Sequence, residues 1–526
     1  MSKVLLYWHT IRHLKFKQVY YQVYYKVKSF FITAIPYNTY QKHRLYTVNT
    51  SSDVLIMSAK KYVGDNTFNF LNLSEKFEGD VDWNFQGDGK LWNYNLQYFD
   101  YLHDALTSEN DKQRLIEDFA GALLNKKVKP EPYPVSLRLI NWVIYYSKTG
   151  YSSPLFERAL KYQVDYLESN LEYHLLANHL LENYFALLVC GYCLHDVKLT
   201  MKALRLIEKE LKEQVLKDGA HYERSPMYHC IILSRLLMII DIVHTNRWIS
   251  LDSAFLKLKA EAMLQWLKTF SFDDGTYPHF NDSTNGVAPA APLLFEYATT
   301  LALGANKGKL EDSGYRKFAL GNYEVVADAG KPMPSYQPGH SHSNMMSFCV
   351  NHKNSPFLTD TGISTYEKNA RRQFERSTSA HNCVVIDQTN QSEVWGGFRV
   401  GKRAEILILK DEASVLSARH NGYLHKFKCM HEREFKFSDE NITIFDLLTN
   451  KTLLGTTFFY LDHSIRIPEK KGKHFFIQEV GSVHFLNASK EEVCAYEQAV
   501  GFNKKEKSYC IKVYFQDHLT TTIQFQ

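Results

Sequence analysis

The chain divides by the period of its apolar positions. From about Trp92 to Leu303, apolar residues recur at three- and four-residue spacing. The pattern predicts helices over 96–106, 111–124, 136–146, 156–171, 175–194, 201–216, 228–243 and 254–270. Short breaks such as KPEPYP, KTGYSSP and KDGAHYERSP separate them, so consecutive helices pack as antiparallel neighbours. Such an array is either a solenoid or a closed toroid, and the lack of a strict sequence repeat disfavours a simple solenoid. After about Gly304 the period changes. YEVVADAG, MMSFCVNH, RAEILILKD, NITIFDLL, TTFFYLD and YCIKVYFQ are β-rich and separated by turn residues, the signature of an antiparallel sandwich.

Two stretches precede the helices. Residues 5–28 are basic, tyrosine-rich and amphipathic. They read either as a helix on an anionic membrane surface or as one packed on the main domain with its lysines solvated. Residues 47–80 are polar and turn-rich, a linker or an extended cover. The expected class is α+β multidomain, with an arm over 1–50, a helical domain over 51–310 and a β-sandwich over 311–526.

Composition changes this picture little. The 526 residues are 45% hydrophobic and 23% charged, ordinary for a soluble globular protein with more than one core. The net charge of +5 belongs to the arm: residues 1–52 carry eight Lys/Arg and no Asp or Glu. The rest is near neutral, which excludes a nucleic-acid partner. The apolar run Val4–Trp8 is too short for a secretion signal, and no window suggests a transmembrane helix. The eight cysteines are scattered, with Cys190 and Cys193 inside a helical pattern. A cytoplasmic location is expected, with any membrane association assigned to residues 1–30.

The chemistry concentrates between Gly339 and Asp387. His340 and His342 lie two apart in GHSHSN beside Asn344, so an extended strand would project both to one face. Asp360 in FLTDTG and His381 in SAHN could join them from neighbouring strands. Such a cluster suits imidazole acid–base chemistry or a His–Asp–His metal site; hydrogen-bonded sheet histidines are the plainer alternative. Upstream, Asn178 and Glu182 share a helix face, with His179 between them. In ERSPMYH, Ser225 is an N-cap candidate and Pro226 opens a helix, which sets Tyr228 and His229 in its first turn. A catalytic tyrosine must have its pKa depressed by cations or stay neutral as an acid. Arg224 and His229 are near enough in sequence to act on it, and simple packing beside the cap is the alternative.

GHSHSNMMSF, PFLTDTG, STSAHN, NHLLEN and ERSPMYH, with LWNYNLQYFDYL and PYPVSLRLINW upstream, together resemble the heparinase II/III-like proteins. The resemblance implies an incomplete (α/α) toroid followed by an antiparallel β-sandwich domain, with a polysaccharide lyase site in the cleft between them. It implies Tyr228 as general base and acid, Asn178 with His179 as the groups that neutralise a uronate carboxylate, and His340 as the catalytic histidine. His342, Asp360 and His381 match the positions of a structural divalent metal, zinc by preference; no organic cofactor is implied. Asn344 departs from the Asp often found there. Trp92, Tyr94, Arg138 and Trp142 are expected to line the cleft, with Glu182, His229, Arg376 and Arg399 as further substrate contacts. Ordinary core packing is the alternative for the aromatic residues.

The expected reaction removes the C5 proton of a uronate and expels the 4-linked sugar from an acidic polysaccharide or oligosaccharide, in the service of surface polysaccharide metabolism. A C5-epimerase shares the first half of that reaction. A non-catalytic glycan-binding protein of polysaccharide assembly is the third reading.

Overall fold

The computed structural model describes residues 3–31, 44–51 and 61–526; parts of the expected arm (32–43) and linker (52–60) lie outside the described residues. Two helices, α1 (Lys3–Ile11) and α2 (Phe16–Phe31), form the arm. The helical domain holds α3 (Lys90–Tyr98), α4 (Glu109–Leu124), α5 (Pro132–Thr149), α6 (Pro154–Ser169), α7 (Ala177–Leu194), α8 (Val197–Gln214), α9 (Pro226–Thr245), α10 (Ala254–Phe270) and α11 (Ala291–Thr300). α5 packs on α3, α6 and α7, and α7 on α8 and α9, giving the incomplete toroid. The helix expected over 96–106 is instead α3 and a short 3-10 turn, because Phe99 is left-handed with φ 62° and breaks the run.

The sequence punctuation works as read. Pro occupies the first turn of α5, α6 and α9, where its missing N–H costs no helical bond. Ser153 and Ser225 accept from the backbone N–H of Phe156 and Tyr228. Among the described residues one helix passes for a membrane span by length and apolarity: α9, of 20 residues, against the expectation of none. Of its most apolar 18-residue window 83% is buried, and its apolar residues belong to the toroid core.

The described residues of the stretch 47–80 are no free linker. Val48 N–H donates to Ser147, and the backbone N–H groups of Asn49 and Ser51 donate to Asn246 and Asp241. Residues 62–76 form a three-stranded antiparallel sheet whose Phe68 and Phe70 enter the toroid core.

The C-terminal half is a sandwich of a four-stranded sheet (315–358) and a ten-stranded sheet that takes in most of the later strands. Strand Asn441–Leu448 alternates half-buried and buried residues throughout. Its Ile442 and Ile444 meet Val325, Phe348 and Val350 of the smaller sheet in one core. The last two strands, Gly481–Gly501 and Lys504–Phe525, form a long hairpin. Its tip reaches the helical half, where Asn72 donates to Phe502 O and Asn503 to Leu71 O.

Candidate active site

A cleft of about 1330 Å³ opens between the two halves, lined from the toroid by α3, α5, α7 and α9 and from the sandwich by the loops around His340, Tyr366 and Phe398. It brings together Tyr94, Asn178, His179, Glu182, Tyr228 and His340 of the expected residues.

His340 and His342 do not sit on a strand; residues 339–347 form a loop. They still converge, because a loop of the toroid half lies against theirs. Asp282 N–H donates to His340 O, and His342 N–H donates to Asn281 Oδ1. The Asp282 carboxylate then takes His340 Nδ1 on Oδ2 and His342 Nε2 on Oδ1, each at 2.8 Å. Arg372 closes the group with Nη1 at 2.5 Å and Nη2 at 2.7 Å from the same two oxygens. Burial alone would raise the Asp282 pKa, but Arg372 and the two imidazoles hold it well below the usual carboxylate range. The ionised carboxylate holds an N–H of His340 on Nδ1, while Nε2 stands 3.8 Å from Glu223 Oε2.

Ser225 and Pro226 set Tyr228 at the mouth of α9. Its ring stacks on His340 at 3.9 Å between centroids, and its hydroxyl lies 3.3 Å from that of Tyr366. Burial, reinforced by Tyr366 and by the carboxylates of Asp282 and Glu223, pushes the Tyr228 pKa well above 10. The phenol is therefore protonated at rest. Arg224 and His229 do not depress it, because both point elsewhere. Arg224 pairs with buried Asp328, and His229 Nε2 donates to Met263 O.

Across the cleft, Asn178 Nδ2 donates to both oxygens of Glu223 at 3.0 and 2.9 Å, while its Oδ1 is buried without a partner. What Asn178 has to offer a ligand is an acceptor. His179 Nδ1 pairs with Glu172 at 3.0 Å, and its ring rests on Tyr133. Burial lowers the His179 pKa, but Glu172 and the other nearby carboxylates more than offset this and the net shift is upward. Glu182 is fully buried with neither carboxylate oxygen hydrogen-bonded, and Arg235 Nε stands 3.4 Å away. Burial raises its pKa and Arg235 only partly compensates, so it holds a proton more readily than a solvated glutamate. The backbone carrying these groups is strained: Leu176 has φ 65° and ψ −150°, and Ala177, Arg224 and Asn281 also have positive φ. Three of the loops that aim the cluster thus hold rare conformations beside it.

Six expected substrate contacts lie elsewhere. Trp92 is buried among Phe70, Phe77 and Phe85, and Trp142 among Phe99, Phe119 and Phe156. Arg138 is buried against Gln163 and Gln97 O, and His229 is enclosed beside Trp266. Arg376 is consumed by the carbonyls of Ser341 and Trp395, and Arg399 is exposed over Trp395, away from the cleft. In each case helical or strand period places the residue but not the face it presents. Glu223, Asp282, Tyr366 and Arg372 went unread. Glu223 stands inside the motif already singled out, but Asp282 sits in the aperiodic loop FNDSTN, where no spacing announces it.

The expected metal trio is only partly assembled. Among the described residues no three His, Cys, Asp or Glu side chains converge as ligands. Asp360 accepts from His381 Nδ1 at 2.7 Å and from Gly362 N–H, so it stands behind His381 rather than beside it. His342 Nδ1 and His381 Nε2 are buried without partners, with ring centroids 5.3 Å apart. Two imidazole lone pairs, backed by Asp282 on His342 and Asp360 on His381, suit two ligands of a metal site and their outer-shell carboxylates, but not a three-ligand set.

Residues 154–300 match the heparinase II/III N-terminus and residues 302–454 the heparinase II/III-like C-terminal domain. The chain belongs to the heparinase II/III-like family of polysaccharide lyases. The crystal structure of heparinase III shares its fold with a TM-score of 0.69 at 15% identity, over 93% of this chain and 88% of that one. Heparan sulfate lyase HepC from Pedobacter heparinus follows at 0.56 and 16%, over 88% and 81%. The heparinase III BT4657 gene product matches at 0.56 and 16%, over 85% and 81%. None of the curated proteins matches the chain. The shared fold is the toroid with its sheet domain, and the cleft described above lies at their junction.

Proposed function

We propose that this heparinase II/III-like chain cleaves a uronate-containing polysaccharide by β-elimination, linked to surface polysaccharide metabolism. The observation that carries the reading is the Tyr228–His340 stack, one member from each domain, set in the cleft with Asp282 ionised behind it. A uronate carboxylate held near His179 and Glu182 meets an imidazole whose pKa is shifted upward and a carboxyl that burial makes readier to share a proton. This lowers the negative charge that opposes loss of the neighbouring C5 proton. His340 Nε2 accepts that proton, the C5–H electrons form the C4–C5 double bond, and the C4–O4 bond breaks. Tyr228, neutral at rest, donates its proton to the leaving O4, and the phenolate regains one from the imidazolium stacked on it. This divides between two residues the role that the family resemblance assigns to Tyr228 alone. The wall mixes signs, with Lys90, Lys368 and Arg235 against Glu182, Glu223 and Glu367, which favours a chain of modest charge density over a densely sulfated one. His342 and His381 would hold a structural divalent ion that ties their two loops together, and no step of the reaction runs through it.

Ultraviolet absorbance of the unsaturated uronate, followed with a panel of uronate polysaccharides, tests the reading. Wild type should cleave at least one of them, and Tyr228→Phe should lose roughly 100-fold or more in rate. In deuterated water the variant should still label C5, because the acceptor is His340. Label without cleavage in wild type would mean an epimerase. Neither signal across the panel, or a fully active Tyr228→Phe, would overturn the proposal.

A further inference from the structure

The arm presents an apolar face that none of the other described residues covers. Eleven of the 24 exposed large apolar side chains among the described residues fall between Val4 and Val27. The most open are Phe16 at 84%, Val4 at 78%, Trp8 at 61% and Val23 at 59%. On α2, Phe16, Tyr20, Val23 and Val27 recur at helical spacing and form one stripe. The opposite face is the packed one. Gln18 Nε2 donates to Leu175 O, Tyr25 hydroxyl donates to Leu171 O, and Tyr21 rests on Tyr173 at 4.5 Å. α1 is held in turn by the sandwich, through Tyr7 against Trp395 and the Trp395 indole N–H on Thr10. The stripe therefore faces outward because the arm is docked, with its inner face bridging both domains.

Charge decides what meets it. Residues 3–28 carry six Lys/Arg and no Asp or Glu. A rotation of 100° per residue puts Lys17 and Lys28 along one flank of the α2 stripe, where Lys17 lies over the Tyr173 ring and Lys28 donates to Ser169 O, and Lys26 along the other, while Arg12 is exposed at the joint between the helices. An apolar stripe with cations on both flanks matches the headgroup boundary of an anionic bilayer. A second copy of the arm would instead bring like charges together, at a cost.

We propose that α1 and α2 dock this protein onto an anionic lipid surface, with the stripe from Val4 to Val27 inserted at the acyl boundary. The arm touches the chain beside the cleft on both sides. Leu175 and Phe398, close in sequence to its anchoring contacts, line the cleft wall. Docking therefore holds the domain junction near the bilayer, whatever reaction runs there.

Flotation of the full chain with vesicles of phosphatidylcholine, with and without phosphatidylglycerol, tests the proposal. The chain should float with the anionic vesicles and at least about tenfold less with neutral ones, and high salt should weaken the binding. Phe16→Glu with Val23→Glu should abolish flotation while leaving the circular dichroism unchanged, since both side chains are exposed. A wild-type chain that stays with the vesicle-free fraction overturns the proposal. So does a dimer in sedimentation that the same double variant dissociates, because the stripe would then belong to a second copy.

Discussion

Replacing Asp282 by asparagine separates two effects that the structure couples. Asp282 is fully buried and receives four charged or polar donors: two from Arg372 and one each from His340 and His342. An amide of the same shape turns one acceptor oxygen into a donor. At either position that donor faces an Arg372 nitrogen and an imidazole N–H, so two hydrogen bonds are lost and the guanidinium stays buried without its counter-charge. Breaking one side of a buried ion pair costs roughly 3–5 kcal/mol. Set toward His340, the amide also forces the ring into its other tautomer and uses up Nε2 as an acceptor. The comparable loss of orientation in a Ser-His-Asp triad is worth about 10⁴ in kcat. Urea denaturation by tryptophan fluorescence should show the first loss, and the initial rate on the best substrate, at a temperature where the variant is folded, the second. Asp282→Asn combined with Arg372→Met removes both charges, and should regain much of the stability and none of the rate. A single variant within about 0.5 kcal/mol of wild type, the scale of a neutral surface change, would refute the assignment. So would a double variant that recovers turnover.

Three further outcomes follow. Trp142→Ala should cost about 3–5 kcal/mol of stability with kcat unchanged while folded; normal stability with weakened substrate binding would restore the sugar-stacking role that its burial denies. Burial lowers the pKa of His221 to about 4 and of His229 to about 3, so both stay neutral in the fold while the unfolded chain protonates near 6.5. Their contribution is complete above pH 6.5 and falls toward those values, together by about 3 kcal/mol per pH unit. Circular dichroism against pH should therefore show unfolding begin between about pH 6 and 4.5, and a transition confined below about pH 4 would contradict this. Zinc added to chelator-treated protein should raise the unfolding midpoint by the equivalent of about 2–3 kcal/mol at a hundredfold excess over Kd, with His381→Ala abolishing the shift. An unmoved midpoint would leave the two unpaired nitrogens to ordered water.

By itself the sequence determined the two-domain order, the helices, most of the strands and the cap at Ser225–Pro226, because period, propensity and capping are local properties of a chain. It also marked Asn178, Glu182, Tyr228 and His340, whose motifs carry polar residues at positions where packing alone would favour apolar ones. Tertiary structure decided which face each residue shows. Trp92, Trp142 and Arg138 sit on helices at sound spacing, yet their fully buried side chains turn into the core. Tertiary structure also decided between the two states open to Tyr228, depressed by cations or kept neutral as an acid: burial raises its pKa, and Arg224 and His229 found partners distant in sequence. Asp282 shows the limit most plainly. Its three partners lie 58 to 90 residues away, at a junction of two domains, and no local pattern encodes a contact that only the docking of those domains creates.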